Sequence, residues 1–230
     1  MSAELWDIGE VEPVAEAGEP HLRAAKPQLA WNPGRFAQEQ IRGLVRQVFC
    51  LQRPRPVRQV VFSAIEGRTD VRSVCKRVGE VLAGETRGSV ALAGSQPGIV
   101  KCEEQGFEVE GRNEHLRKNA SALGGNLWLL PGRENSGAQE GVASVHTYLG
   151  QIRKEFEYSI VECRPAGECD EALEMAQFAD GIILVISAEY TRRYTARKVI
   201  EALHAAQVRI LGTVLSDREF PMPERLYHWL

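Results

Sequence analysis

The chain has 230 residues, of which 43% are hydrophobic and 26% charged, with a formal net charge of -3 and a pI near 6.0. Such a length supports one substantial core, or one core with a tail, and the mild acidity gives no support for nucleic-acid binding, which carries a basic bias. No apolar run reaches the ~20 residues that span a bilayer, the acidic start MSAELWDIGEVEPVAEAGEP does not read as a signal peptide, and the scattered Cys50, Cys75, Cys102, Cys163 and Cys169 read as reduced thiols.

Residues 1–35 read as a mostly irregular arm rich in Glu, Pro, Ala and Gly. Trp6 and Trp31 would pin it to a surface, most simply that of its own domain. Residues 36–230 then read as a single domain. Phe36–Gln52 has helical spacing, with Ile41, Leu44, Val45, Val48 and Phe49 in one stripe. Arg53-Pro-Arg-Pro ends it. Gln59–Ser63 is a short β-branched strand, Ala64–Thr69 a polar turn, and Asp70–Ala83 a helix with Val71, Val74, Cys75, Val78 and Leu82 on one face. Strand–loop–helix at the start of a domain is where P-loop proteins hold phosphate.

Ser89–Ala93 reads as a buried strand. Residues 99–125 carry no clear periodicity, apart from one alternating piece around Phe107–Val109. Asn126–Leu130 is another strand, and Ala138–Phe156 a helix with Val142, Val145, Leu149, Ile152 and Phe156 inward. A strand at Tyr158–Cys163, a helix at Asp170–Phe178, a strand at Gly181–Ser187, a helix at Thr191–Ala206 and a strand at Arg209–Leu215 complete the order. The tail, 216–230, is turn-like and ends in aromatics. Alternating helices and apolar strands predict an α/β fold, a mostly parallel sheet with helices on both faces.

The C-terminal half is more specific. FEYSIVECRPAG, then DEALEMAQFADGIILVISAEYTRRYTARKVIEAL, then VRILGTVLSD resembles the cytoplasmic domain of bacterial tyrosine kinases of exopolysaccharide synthesis, within the MinD/ParA-like class of P-loop NTPases. The resemblance covers residues 36–217 in order and is dense over 156–215. It implies the P-loop NTPase-like fold and lets the family's motif positions be placed on this chain. With Ser63-Ala64 at the loop start, the phosphate loop falls on Gly67, Arg68, Thr69, Asp70 and Val71. Thr69 stands at the glycine before the lysine, Asp70 at the lysine and Val71 at the magnesium-binding hydroxyl. An acid there reverses the charge that holds phosphate, and valine offers no oxygen to magnesium. Ala93 and Ser95 stand where the second motif has aspartates. Glu162 replaces the aspartate of the Walker B strand end, and Ser216 the base-reading asparagine. The tyrosine cluster of such kinases is absent, Tyr227 being the only tyrosine in the tail.

The resemblance therefore implies the fold and argues against the activity. It points to a pseudo-enzyme, with no catalytic residue, nucleotide or metal cofactor expected. Such a protein would be a cytoplasmic regulator or adaptor in exopolysaccharide or capsule biosynthesis or export. A partner, a membrane polysaccharide co-polymerase or export component, would recruit it to the inner face of the membrane. Two alternatives remain open: an ATP- and magnesium-dependent enzyme in which Arg68 or Arg72 replaces the lysine, and a MinD-like positioning protein, which would lack the usual C-terminal amphipathic helix.

Among single features, Asp70 reads as a helix N-cap, and Glu162 as an acid paired with Arg164 or Arg68. Cys163 and Cys169 lack the second ligand pair of a zinc site. His21, His115, His146, His204 and His228 show no metal spacing. Glu39-x-x-Arg42 resembles the start of the family's E-x-x-R-x-x-R oligomerisation motif, with the last arginine one place late at Arg46. These three residues are candidates for an interface in a homo-oligomer, against a plain solvated face. The basic face Arg192, Arg193, Arg197 and Lys198 reads as solvated. The loop after the first strand is expected to be collapsed, or plugged by a side chain such as Arg68.

Overall fold

The computed structural model describes residues 33–51, 54–94, 116–131 and 142–216. The elements are α1 (Pro33–Val45, running into a π-helical turn Arg46–Cys50), β1 (Gln59–Ala64), α2 (Val71–Glu85), β2 (Val90–Gly94), a 3-10 turn (Leu116–Asn119), β3 (Ser121–Gly124), β4 (Leu127–Leu129), α3 (Val142–Glu155), β5 (Tyr158–Cys163), α4 (Glu171–Phe178), β6 (Gly181–Ser187), α5 (Arg193–Ala205) and β7 (Ile210–Ser216). They form one seven-stranded sheet in the order β3-β4-β2-β5-β1-β6-β7. Every pairing is parallel except β3 with β4.

The apolar runs explain this. All six residues of β1 are buried, which only a central strand covered on both faces allows. Its alternate side chains feed two cores. Val60, Phe62 and Ala64 pack with Val71, Cys75, Val78 and Leu82 of α2 and with Val45, Val48 and Phe49 of α1 and its π turn. Val61 packs on the other face with Val145, Leu149 and Ile152 of α3, Met175 of α4 and Leu203 of α5. The sheet is thus mostly parallel with helices on both faces, as the sequence predicts.

The first helix differs from expectation at both ends. It begins at Pro33, inside the stretch assigned to the arm, and proline suits a first helical turn. Its last turn widens to a π turn that buries Val48 and Phe49 before Leu51 turns extended. The strand β3 has no counterpart in the sequence reading. It is an exposed edge strand of four residues, joined to β4 through Gly124 and Gly125, whose φ angles of +140° and +56° suit glycine. Exposure on the whole strand removes the apolar alternation by which a strand is read. The arm's Trp6 and Trp31, the Phe107–Val109 piece, Ser95, Cys102, His21, His115, His228 and Tyr227 lie outside the described residues, as do 138–141 of the predicted third helix.

At the amino end of the central strands, polar groups form a closed network. The Asp180 carboxylate accepts from the backbone N–H of Arg58 and of Gln59, both at 2.8 Å. It also pairs with Arg153 at 3.0 Å. The buried Gln59 amide donates to Leu149 O at 3.1 Å and accepts from Arg153 at 3.3 Å. Buried polar groups are tolerated when partnered in this way.

Candidate functional site

In open α/β sheets ligands bind beyond the carboxyl ends of the strands. Three segments meet there: the loop 65–70 after β1, the loop 164–170 after β5, and the carboxyl end of β6. Ser63 and Ala64 belong to β1, so the loop starts at Ile65. Ile65 N–H donates to Val185 O of β6 at 3.2 Å. Ala166 N–H donates to Ala64 O at 2.8 Å, Gly167 N–H to Ile65 O at 3.1 Å, and Ser63 Oγ to Arg164 O at 2.8 Å. A Cβ on Gly167 would collide with the Ile65 carbonyl oxygen. The two loops interlock through their backbones, and a glycine permits the approach.

A phosphate cradle presents successive backbone N–H groups to its ligand. Here alternate N–H groups are taken up by the chain's own acceptors. Gly67 N–H donates to the Glu168 carboxylate at 2.8 Å. Thr69 N–H is directed at Glu66 O at 3.5 Å, and Val71 N–H donates to Thr69 O at 3.0 Å. Ser73 N–H donates to Asp70 at 3.1 Å, and Ser73 Oγ to the same carboxylate at 2.5 Å. Asp70 is therefore the N-cap of α2, as the sequence predicts. The Ser73 hydroxyl and N–H, with a smaller contribution from the Arg72 charge, hold its carboxyl below the usual carboxylate range. Val71 is buried in the core against α1 and β1. Thr69 is buried as well, and its hydroxyl has no hydrogen-bond partner among the described residues.

Two arginines flank the loop, neither free. Arg68 does not plug it: its guanidinium lies over the exposed Tyr190 ring, 5.5 Å from the centroid. Arg72 pairs with Glu162 at 3.7 Å. The expected partners of Glu162 are thereby corrected, because Arg164 is held by Glu171 at 2.8 Å and Arg68 by Tyr190. The start of α2 brings Arg72 to Glu162 near the end of β5, whereas Arg164 is held by Glu171 of α4. Burial pushes the Glu162 carboxyl up; Arg72 pulls it back, and the nearby Asp70 charge adds to the rise. Beneath them the Cys75 thiol is buried and pushed well up, first by burial and then by Glu162. A thiol so placed is unreactive.

The remaining candidates lie apart from this cluster. Arg42 and Arg46 straddle Glu85 at the end of α2, at 3.4 and 3.2 Å, and Glu39 pairs with Arg35 at 3.3 Å. Ala93 is buried in β2, and Ser216 ends β7 beside Ser187. His146 packs edge-on to Phe178. Among the described residues, Cys163 and Cys169 are not in a disulfide, and no cluster of three metal-binding side chains is present. On the α5 face, Arg197 pairs with Glu201 and Lys198 lies over Tyr194. No described helix is long and apolar enough to cross a membrane. The residue that the sequence reading missed is Glu168. No local signal marks it, because its partner Gly67 lies 101 residues away along the chain.

No family model matches the sequence, and no curated protein does. Solved structures match by shape. The VpsO kinase domain is 16% identical, with a TM-score of 0.63 over 81% of this chain and 98% of that one. The kinase domain of Escherichia coli tyrosine kinase ETK is 14% identical, with a TM-score of 0.63 over 81% of this chain and 79% of that one. A chain of the MinC:MinD cell division protein complex of Aquifex aeolicus is 18% identical, with a TM-score of 0.56 over 69% of this chain and 68% of that one. At such identities the similarity speaks for the fold alone, and with the sheet order it shows that this chain has the P-loop fold of MinD/ParA ATPases and bacterial tyrosine kinase domains.

Proposed function

We propose that this chain is a non-catalytic regulator or adaptor in bacterial exopolysaccharide or capsule biosynthesis or export. In this reading a P-loop kinase fold has lost its Walker motifs and binds neither ATP nor magnesium. The observation that carries the reading is the fate of the loop donors. Gly67, Thr69, Val71 and Ser73 direct their N–H groups to Glu168, Glu66 O, Thr69 O and Asp70. A triphosphate would have to displace two carboxylates, and would meet Asp70 where a lysine charge is needed. Each such like-charge encounter costs on the order of several kcal/mol at close range.

The polysaccharide setting comes from the C-terminal motifs, whose resemblance is to kinases of that process, and the similarity in shape to the VpsO and ETK kinase domains is consistent with it. Such a protein acts through its surface. Its partner would be a membrane polysaccharide co-polymerase or export component, which would hold it at the inner face of the membrane. Self-association would use Glu39, Arg42 and Arg46, two of which now also brace α1 against α2 through Glu85. The test is genetic and biochemical. Deletion is expected to lower exported polymer, complementation by the Asp70→Ala chain to restore it, and the tagged chain to co-purify with the membrane component. Normal polymer in the deletion strain would refute the assignment.

A second reading, an ATP-dependent enzyme using Arg68 or Arg72 in place of lysine, finds less support. Arg72 is engaged with Glu162 and Arg68 with Tyr190.

A further inference from the structure

We propose that Glu168 is a tethered anion, a latch that fastens the loop after β1 to the loop after β5 and keeps small oxyanions out of it. The proposal rests on the non-catalytic reading above and deepens it by naming what occupies the loop.

The latch is one charge-assisted hydrogen bond, Glu168 Oε1 to Gly67 N–H at 2.8 Å. The chain folds 164–169 back so that backbone bonds at Ala166 and Gly167 bring residue 168 against residue 67. Glu168 N–H and Cys169 N–H both donate to Pro165 O, at 3.0 and 3.2 Å, so a tight turn fixes the stem of the carboxylate. An oxyanion approaching the Gly67 N–H would meet this carboxylate at the same donor.

A second observation is independent of the contact. The Thr69 hydroxyl is buried in the same loop and makes no hydrogen bond within the described chain. A buried hydroxyl without a partner costs about 1–3 kcal/mol, so the latched loop leaves one polar group unserved. A loop built only for packing would carry an apolar residue there. The orphan hydroxyl marks a loop whose polar groups are not fully satisfied by the described residues. Glu168 is exposed, so it can be replaced without disturbing the core.

The experiment follows the Gly67 and Thr69 amides of the labelled full-length chain by NMR and hydrogen exchange while inorganic phosphate is added, with chloride at matched ionic strength as control. In the wild type the Gly67 amide is expected to be protected and unmoved by phosphate. In Glu168→Ala protection is lost and phosphate binds at least roughly tenfold more tightly, with both resonances shifting. Glu168→Gln keeps an acceptor on the same stem without the charge, so it should fold even if the alanine variant does not, and should respond to phosphate to an intermediate degree. An unchanged Gly67 amide in both variants, or an exposed amide that ignores phosphate, would overturn the latch and leave the non-catalytic reading intact. Binding of ATP with magnesium by the wild-type chain would instead overturn that reading.

Discussion

The two ends of β1 solve the same problem for different purposes. At the amino end one carboxylate, Asp180, accepts two backbone N–H groups and an arginine, and the buried Gln59 amide is served on both sides. At the carboxyl end two carboxylates, Asp70 and Glu168, also accept backbone N–H groups, yet a buried hydroxyl is left over and Glu162 is held in a site that disfavours its charge. The first is a structural network in which every member is satisfied. In the second, the chain's own carboxylates take loop N–H groups at the end of the sheet where open α/β folds bind ligands. The Thr69 hydroxyl, unpartnered among the described residues, and the disfavoured Glu162 charge both lie at that end, not at the end that only holds the sheet together.

Substitutions should separate the two ends by magnitude and by pH response. Asp180→Ala should have the largest effect, about 2–3 kcal/mol of lost stability in denaturant unfolding, because it strands the Gln59 N–H and takes from Arg153 its carboxylate partner. Gly167→Ala should cost about 1–3 kcal/mol, since its methyl meets the Ile65 carbonyl and the interlocked loops must part. A loss at Gly167 greater than that at Asp180 would reverse the comparison. Asp70→Ala should cost about 1 kcal/mol as a lost N-cap.

The pH responses should have opposite sign. The Asp70 carboxyl is lowered in the folded chain, so its contribution is complete above the unfolded value of about 3.9 and is lost as pH falls through the folded value. The Glu162 carboxyl is raised, so the folded state keeps its proton longer. Stability is greatest below the unfolded value near 4.3 and declines as pH rises through the folded value. Glu162→Gln should therefore have the smallest effect, within about 0.5 kcal/mol at neutral pH. It should also flatten that decline, as read from unfolding midpoints across pH 4–8. A decline that persists unchanged in the variant would assign it to another group.

The strands that form the sheet's centre were legible because they are buried on both faces. Gly181–Ser187 is an apolar run and Tyr158–Cys163 has the apolar pair Ile160-Val161 at its centre, and their limits in the structure are those read from sequence. The capping role of Asp70 was legible from its place before a helical stripe. The exposed β3 was not, because an edge strand of Ser-Ala-Leu-Gly carries no buried face to be periodic. The partner of Glu162 was misjudged because proximity in sequence favours Arg164, while the parallel pairing of β1 with β5 brings the start of α2 over the end of β5 and with it Arg72. Glu168 was overlooked for the same reason: it lies 101 residues from Gly67 along the chain. A bond between two crossover loops has no local signature.

The central claim is that this P-loop fold no longer takes a nucleotide. Its most direct test is a titration of the full-length chain with ATP and magnesium, followed by calorimetry or a fluorescent ATP analogue. The account predicts no saturable binding up to millimolar ligand and no change in unfolding midpoint. Saturable binding, with a midpoint that rises as ligand is added, would contradict it.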